Sequence, residues 1–260
     1  MKNLRKYGKV PYNIAVVHGG PGAPGSMAPV AREISSNFGI LEPLQTVNSL
    51  KGQLQELREI LKNDGDLPII LIGSSWGAIL SFIFAAKNPK FIKKLILVGS
   101  GVFEDFYSKN IMETRLNRLS AEKRELALTL MDAMDNPVAQ DKNIIMEKFG
   151  KLMTEADTYD PIALDNEIIE YSYECYKNVW KEAKELRKSG KLLELGKRIR
   201  CPVVAIHGDY DPHPIEGIKG PLSGVLKDFR FILLKNCGHL PWIEKKARDK
   251  FFDTLLEELN

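Results

Sequence analysis

The sequence predicts an α/β domain, a mostly parallel sheet with helices on both faces, interrupted by an inserted helical block. Three observations predict it. Short apolar runs rich in β-branched residues (14–17, 69–72, 95–98, 202–206 and 231–234) alternate with helical segments, the pattern of strands buried on both faces. One of these runs passes through Gly73-Ser74-Ser75-Trp76-Gly77 directly into an apolar helix, 78–86. From 103 to 196 the strand signal disappears and the chain reads as charged helices. The expected organisation is therefore a core made of 1–102 and 197–260, with 103–196 inserted as a lid.

Residues 1–12 are polar and offer at most an edge strand. The strand 14–17 runs into His18-Gly19-Gly20-Pro21-Gly22, a loop whose backbone N–H groups no side chain obstructs. The same glycines would also suit a plain turn before a helix. No Gly-Lys-Ser/Thr follows, so a phosphate loop is set aside. A helix is expected from about 29 to 37 and a strand near 39–44. Ser49 is placed to cap the next helix, where Leu50, Leu54, Leu57 and Leu61 share one face and Asn63-Asp64-Gly65 ends the run.

In the segment 69–86, strand, glycine-flanked serine and helix form the context that gives Gly-x-Ser-x-Gly meaning as a nucleophile elbow. The turn is sharp, and a Cβ at position 73 or 77 would collide with the neighbouring strand or helix. Ser75 is the candidate nucleophile, and Ser74 should point elsewhere.

In the inserted block, Ser120 is placed to cap a helix with Leu126, Leu130 and Met134 on one stripe. Asp160-Pro161 reads as N-cap and first residue of a long helix carrying Leu164, Ile168, Tyr171 and Cys175, with Gly190 past its end. The block follows a strand whose C-terminal end lies beside the elbow, where ligands bind in open parallel sheets. Strands then resume, at 202–206 before His207-Gly208-Asp209-Tyr210-Asp211-Pro212-His213 and at 231–234 before Asn236-Cys237-Gly238-His239-Leu240-Pro241. A last amphipathic helix is expected from about 244 to 259.

A serine hydroxyl needs a base to take its proton and a carboxylate to orient that base. The order Ser75, Asp211, His239 is that of one known arrangement, and the acid and base each lie just past a strand. Asp209 competes with Asp211 but sits closer to the strand end, where it would shape the turn. His18 reads as a brace of its loop, and His207 and His213 are lesser candidates for the base. The amides of Gly20 and Trp76 would hold the developing oxyanion. His239 must be neutral to act as base, so activity should fall below about pH 6–7.

Composition sets the outer limits. The chain has 260 residues, 44% of them hydrophobic, enough for one large α/β domain. A net charge of +3 makes no case for nucleic acid. The three cysteines (175, 201 and 237) have neither disulfide-framework nor zinc spacing, which points to a reducing compartment. The first residues are basic without an apolar stretch after them, and no run spans a bilayer, so a cytoplasmic protein is expected. No cofactor motif and no metal-ligand cluster stand out, and the expected partner is a small-molecule or short-peptide substrate.

With these residues placed, the sequence resembles the α/β-hydrolase superfamily over nearly its whole length. The matching pieces are His18-Gly19-Gly20-Pro21-Gly22, Gly73-Ser74-Ser75-Trp76-Gly77, Gly208-Asp209-Tyr210-Asp211 and Gly238-His239-Leu240-Pro241-Trp242. The resemblance implies a helical lid between the sixth and seventh strands of that fold. Within it, His-Gly-Gly-Pro-Gly with Gly-x-Ser-Trp-Gly looks most like the prolyl aminopeptidase (proline iminopeptidase) group, whose lid glutamates bind a free N-terminal amine. That likeness nominates Glu167, Glu170 and Glu174, which would share a helix face; a solvated face is the other reading of them. Two departures stand beside it. An Asp-x-Arg-Gly-x-Gly-x-Ser-like stretch is replaced by Leu41-Glu42-Pro43-Leu44-Gln45-Thr46-Val47-Asn48-Ser49, and at most one strand precedes His18. Carboxylesterase-like turnover and a non-catalytic ligand-binding role on the same fold are the alternatives.

Overall fold

A computed structural model describes residues 3–163 and 168–260. Its seven strands form one sheet in the order β1-β3-β2-β4-β5-β6-β7. They are β1 (Leu4–Tyr7), β2 (Ile14–Val17), β3 (Ile40–Pro43), β4 (Ile69–Ser74), β5 (Ile92–Val98), β6 (Val203–Gly208) and β7 (Phe229–Leu234). All neighbours are parallel except the edge strand β1, which runs antiparallel to β3. The helices are α1 (Ala28–Ile34), α2 (Leu50–Asp64), α3 (Trp76–Lys87), α4 (Ile111–Arg118), α5 (Ala121–Asp135), α6 (Lys142–Asp157), α7 (Tyr173–Lys188), α8 (Lys191–Glu194), α9 (Glu216–Val225) and α10 (Arg248–Leu259).

Alternate residues of the central strands feed two cores, one on each face of the sheet. Ala15, Val17, Ile69, Leu71, Leu95 and Leu97 pack with α2, α3 and α9 on one face. Ile14, Val16, Ile70, Ile72, Ile96 and Val98 pack with α1 and α10 on the other. The apolar runs carry no polar face because both faces are covered. α3 is buried from Trp76 to Ala86, as its unbroken apolar sequence requires. Ser49 caps α2 as expected, accepting from the Gly52 N–H at 3.1 Å.

Among the described residues the insertion contains no strand beyond one isolated bridge, Pro161 to Glu244. It divides in two. α4, α5 and α6 bury Leu116, Ala127, Leu130, Leu152 and Met153 in a small core of their own. α7 instead lays Cys175, Val179 and Ala183 into the core on the α2–α3 face.

Three sequence expectations change. Asp160 and Pro161 do not begin a helix, because the Asp160 N–H is taken by the Glu244 carboxylate at 2.8 Å and the Ile162 N–H by the Ile243 carbonyl at 2.7 Å. The long helix starts instead at Tyr173, with the Ser172 hydroxyl accepting from the Cys175 N–H. The buried stripe of α5 is Ala127, Leu130 and Met134, while Leu126 is exposed. The last helix begins at Arg248, since Glu244 is wholly buried and its carboxylate serves three backbone N–H groups.

Candidate active site

The site is built on the C-terminal ends of the parallel strands. β4 ends at Ser74, and Ser75 turns the chain into α3 with φ 53° and ψ −116°, a conformation that costs a β-carbon residue strain. The crowding that keeps its neighbours glycine is direct. A Cβ on Gly77 would sit 2.5 Å from the His18 carbonyl oxygen, and one on Gly73 2.7 Å from the Ala78 nitrogen. The Ser75 N–H is tied to the Val98 carbonyl at the end of β5, 3.0 Å away. Ser74 is buried, its hydroxyl without a partner among the described residues.

The glycine loop after β2 lies against the serine. A Cβ on Gly19 would stand 3.1 Å from the Ser75 Cβ and 3.8 Å from its Oγ. Gly20 follows with φ +59°. Neither the Gly20 nor the Trp76 amide donates a backbone hydrogen bond among the described residues, and the Trp76 amide is one of the orphan donors at the start of α3. His18 braces this loop. It is fully buried, its Nδ1 lies 2.9 Å from the Gly19 carbonyl, and its Nε2 accepts from the Gln45 N–H at 3.2 Å. Burial pushes its pKa down to about 4, so it stays neutral.

Asp211 follows β6 and His239 follows β7. The His239 Nδ1 lies 2.7 Å from Asp211 Oδ2, which fixes the tautomer with the Nδ1 proton on the carboxylate side and leaves Nε2 as an acceptor. Burial would raise the Asp211 pKa, but the imidazoles set around it, His239 foremost, hold the carboxyl well below its usual range. Burial also works against the His239 imidazolium, yet the Asp211 carboxylate outweighs it and lifts the His239 pKa above its ordinary value. Asp209 plays another part: its Oδ1 accepts from the Cys237 N–H at 3.2 Å and shapes the loop.

The His239 ring and Ser75 flank the same strand end. A Cβ on Gly99, which follows β5 with φ +50°, would lie 3.2 Å from His239 Nδ1 and 3.5 Å from Asp211 Oδ2. No Ser75–His239 hydrogen bond is formed among the described residues, while His239 and Asp211 are joined at 2.7 Å.

Four further residues shape the site. His213 donates to Asp211 Oδ1 from its main chain at 2.9 Å and holds the same oxygen with Nδ1 at 2.7 Å. Arg115 of α4 grips Asp157 at the end of α6 through two bonds of 2.7 and 2.6 Å. Glu244 accepts from the N–H groups of Tyr159, Asp160 and Gly238, each at 2.8 Å, tying the end of the insertion to the His239 loop. The short Asp-x-His spacing was visible in the sequence, but the pairing of positions tens of residues apart carries no local signal.

Two of the glutamates nominated as an amine site lie at the surface. Glu170 lies outside any helix and is exposed, Glu174 is exposed in the first turn of α7, and Glu167 lies outside the described residues. Among the described residues, Asp211, His213 and His239 are the one group whose ligand atoms, all within 4.8 Å of one another, could hold a metal ion. Both Nδ1 atoms are already committed to the carboxylate. No described helix is long and apolar enough to cross a membrane.

Comparison with known proteins agrees with this architecture. A search of curated proteins finds no match. Among solved structures, the chain is similar to VinJ, with 17% identity, a TM-score of 0.68, and 98% of this chain and 93% of that one covered. It is also similar to the thioesterase domain from the curacin biosynthetic pathway, with 18% identity, a TM-score of 0.63, and 98% and 94% covered. The proline iminopeptidase of Mycobacterium smegmatis shares 16% identity, with a TM-score of 0.63 and 98% and 93% covered. At such identities the likeness speaks for the fold alone. The model of the alpha/beta hydrolase fold matches residues 21–246, and the chain belongs to that family.

Proposed function

We propose that this protein is a serine hydrolase that cleaves an ester or amide bond of a small molecule through an acyl-enzyme on Ser75. The observation that carries the reading is a buried His239–Asp211 pair, 2.7 Å apart, flanking the strand end to which the strained Ser75 is tied. His239 Nε2 takes the Ser75 proton as Oγ attacks the substrate carbonyl. The Gly20 and Trp76 amides hold the oxyanion, and the imidazolium then returns the proton to the leaving group. Water repeats the cycle to free the acid and regenerate Ser75. Hydrogen bonds of this kind commonly tighten only when substrate fills the site.

Of the two branches, carboxylesterase-like turnover is better supported than prolyl-aminopeptidase-like turnover. An ammonium group would need an unpaired carboxylate facing Ser75. Among the described residues the insertion instead brings Arg115 close enough to act electrostatically on Asp211, His213 and His239, and its partner Asp157 is already paired. Glu170 and Glu174 are exposed.

A fluorophosphonate probe should form one adduct, on Ser75, that is absent in Ser75→Ala. A folded protein that takes no label would instead be a ligand-binding member of the fold. A panel of short and long acyl esters against proline and other amino-acid arylamides separates the branches, and esters are expected to turn over faster.

A further inference from the structure

Asp211 carries two histidines. His239 Nδ1 holds Oδ2 at 2.7 Å, and His213 holds Oδ1 through its Nδ1 at 2.7 Å and its main-chain N–H at 2.9 Å. The two rings are stacked, their centroids 4.8 Å apart and their planes 29° from parallel. A hydrolytic relay needs one imidazole on this carboxylate. The second is buried, and the reaction path described above does not use it.

We propose that His213 is a positioning residue: by holding the Asp211 oxygen that His239 does not use, and by stacking on the His239 ring, it fixes that ring's plane and sets the pH at which His239 works as a base. The proposal rests on the serine-hydrolase reading of the site.

The physics has two parts. An imidazole held only at Nδ1 can swing about that bond and tilt its Nε2 away from the serine, whereas a second ring packed against its face removes that freedom. The carboxylate also divides its hydrogen-bonding capacity. The N–H groups that His213 gives to Oδ1 stabilise the negative charge and weaken its pull on the His239 proton. His213 stays neutral in this role, because burial pushes its pKa down to about 4 despite Asp211.

The other groups facing the pair are accounted for. His207 donates Nε2–H to the His213 carbonyl at 2.9 Å and keeps Nδ1 3.7 Å from Asp211 Oδ2. Arg115 acts on both rings, and Asp157 acts on His239. Glu244 holds the Gly238 N–H, one residue before His239. The two rings titrate as a coupled pair, since a proton on one disfavours a proton on the other.

The test is the pH profile of ester turnover in two variants. His213→Leu removes the side-chain donor but keeps bulk over His239. His213→Asn keeps a donor near the Nδ1 position and loses the stacked ring. His213→Leu is expected to lower kcat about 10-fold with KM little changed. Its acid limb should move up by about 0.5–1 pH unit as Asp211 pulls harder on the His239 proton. His213→Asn should restore the limb and only part of kcat. A folded His213→Leu with the native limb and native kcat overturns the proposal.

Should His213→Leu fail to fold, His213→Asn decides: a native kcat there overturns the stacking role. Imidazole nuclear magnetic resonance of the native protein reads the pairing without any variant. Slowly exchanging Nδ1 protons are expected on both His213 and His239, beside the one His18 gives to Gly19, and the absence of the His213 proton would overturn it. A native protein that a fluorophosphonate leaves unlabelled would refute the hydrolase reading. A labelled protein whose His213 variants behave as native refutes the positioning role alone.

Discussion

The main-chain N–H of His239 donates to the carbonyl of Asp157 at 2.8 Å, so the candidate base hangs from the last turn of a helix in the insertion. The carboxylate of the same Asp157 is clamped by Arg115, with side-chain exposures of 6% and 17%. The geometry of the His239 loop therefore depends on a pair of charges outside the sheet. Removing Arg115 leaves a nearly buried carboxylate unpaired, a change that costs about 3–5 kcal/mol when the pair is fully buried. Arg115→Leu is expected to lower unfolding stability by about 3 kcal/mol, toward the lower end because the guanidinium keeps some solvent. Ester turnover should fall about 100-fold through misplacement of His239. Urea unfolding and kcat measure the two effects; full turnover in the folded variant would show that the loop does not need the clamp.

Ser75 sits at φ 53°, where any side chain is strained. Replacing it with glycine removes both the hydroxyl and the strain, and relief of such a conformation contributes about 1–3 kcal/mol. Ser75→Gly should raise the unfolding midpoint by about 2–4 °C for each kcal/mol of strain relieved, while hydrolysis drops at least about 10^4-fold. The opposite signs of the two readouts are the point of the experiment. A variant less stable than the native protein would mean that the serine side chain stabilises the elbow rather than being forced upon it.

Acid should destabilise the fold before the carboxylates titrate. Burial holds His18 and His213 down to about 4, against an ordinary 6.5. The unfolded chain takes up those two protons as pH falls through 6.5, and the folded chain refuses them until about 4. Stability is thus lost across that window, by an amount on the order of 3 kcal/mol per histidine. His239 works in the other direction: its raised pKa contributes stability present below 6.5 and lost as pH rises through the folded value. Asp211, lowered, contributes stability that is lost only as pH falls through a value below 3.8. Urea midpoints should therefore fall steadily from pH 6.5 to 4, and His18→Gln should flatten the slope. A midpoint constant over that range would mean that the two imidazoles take up protons without leaving their places.

Much of this site is legible in the sequence because its parts are local. Ser75, Asp211 and His239 each stand just past a β-branched run, and glycines mark the tight approaches at 73, 77, 208 and 238. Those are steric demands a short window of sequence can express. The clamp on the His239 loop is not legible, because Arg115 and Asp157 lie 42 residues apart and Tyr159 and Glu244 lie 85 apart. Asp160-Pro161 carries good helix-start chemistry, and a buried carboxylate from the other side of the insertion overrides it. Local propensity there competes with a tertiary hydrogen bond and loses. The double occupancy of Asp211 fails differently: His213 was in view two residues away, but only the folded loop brings its ring over His239.

The exposed glutamates bear on specificity. Glu174 occupies the first turn of α7, where a carboxylate favours the helix dipole by about 0.3–1 kcal/mol. That is reason enough for an acidic residue there without any substrate. Glu174→Gln is therefore expected to cost a few tenths of a kcal/mol in stability and to leave kcat/KM for esters and for amino-acid arylamides within about twofold. Glu170→Gln, at an exposed position outside any helix, should change neither. An ammonium held by one of these carboxylates would lose a charge-assisted hydrogen bond in the variant, raising KM about 10-fold or more for free-amine substrates alone. Such a selective loss would move the free-amine branch ahead of the ester branch. Unchanged kinetics on both substrate classes would mean that neither Glu170 nor Glu174 holds a substrate amine.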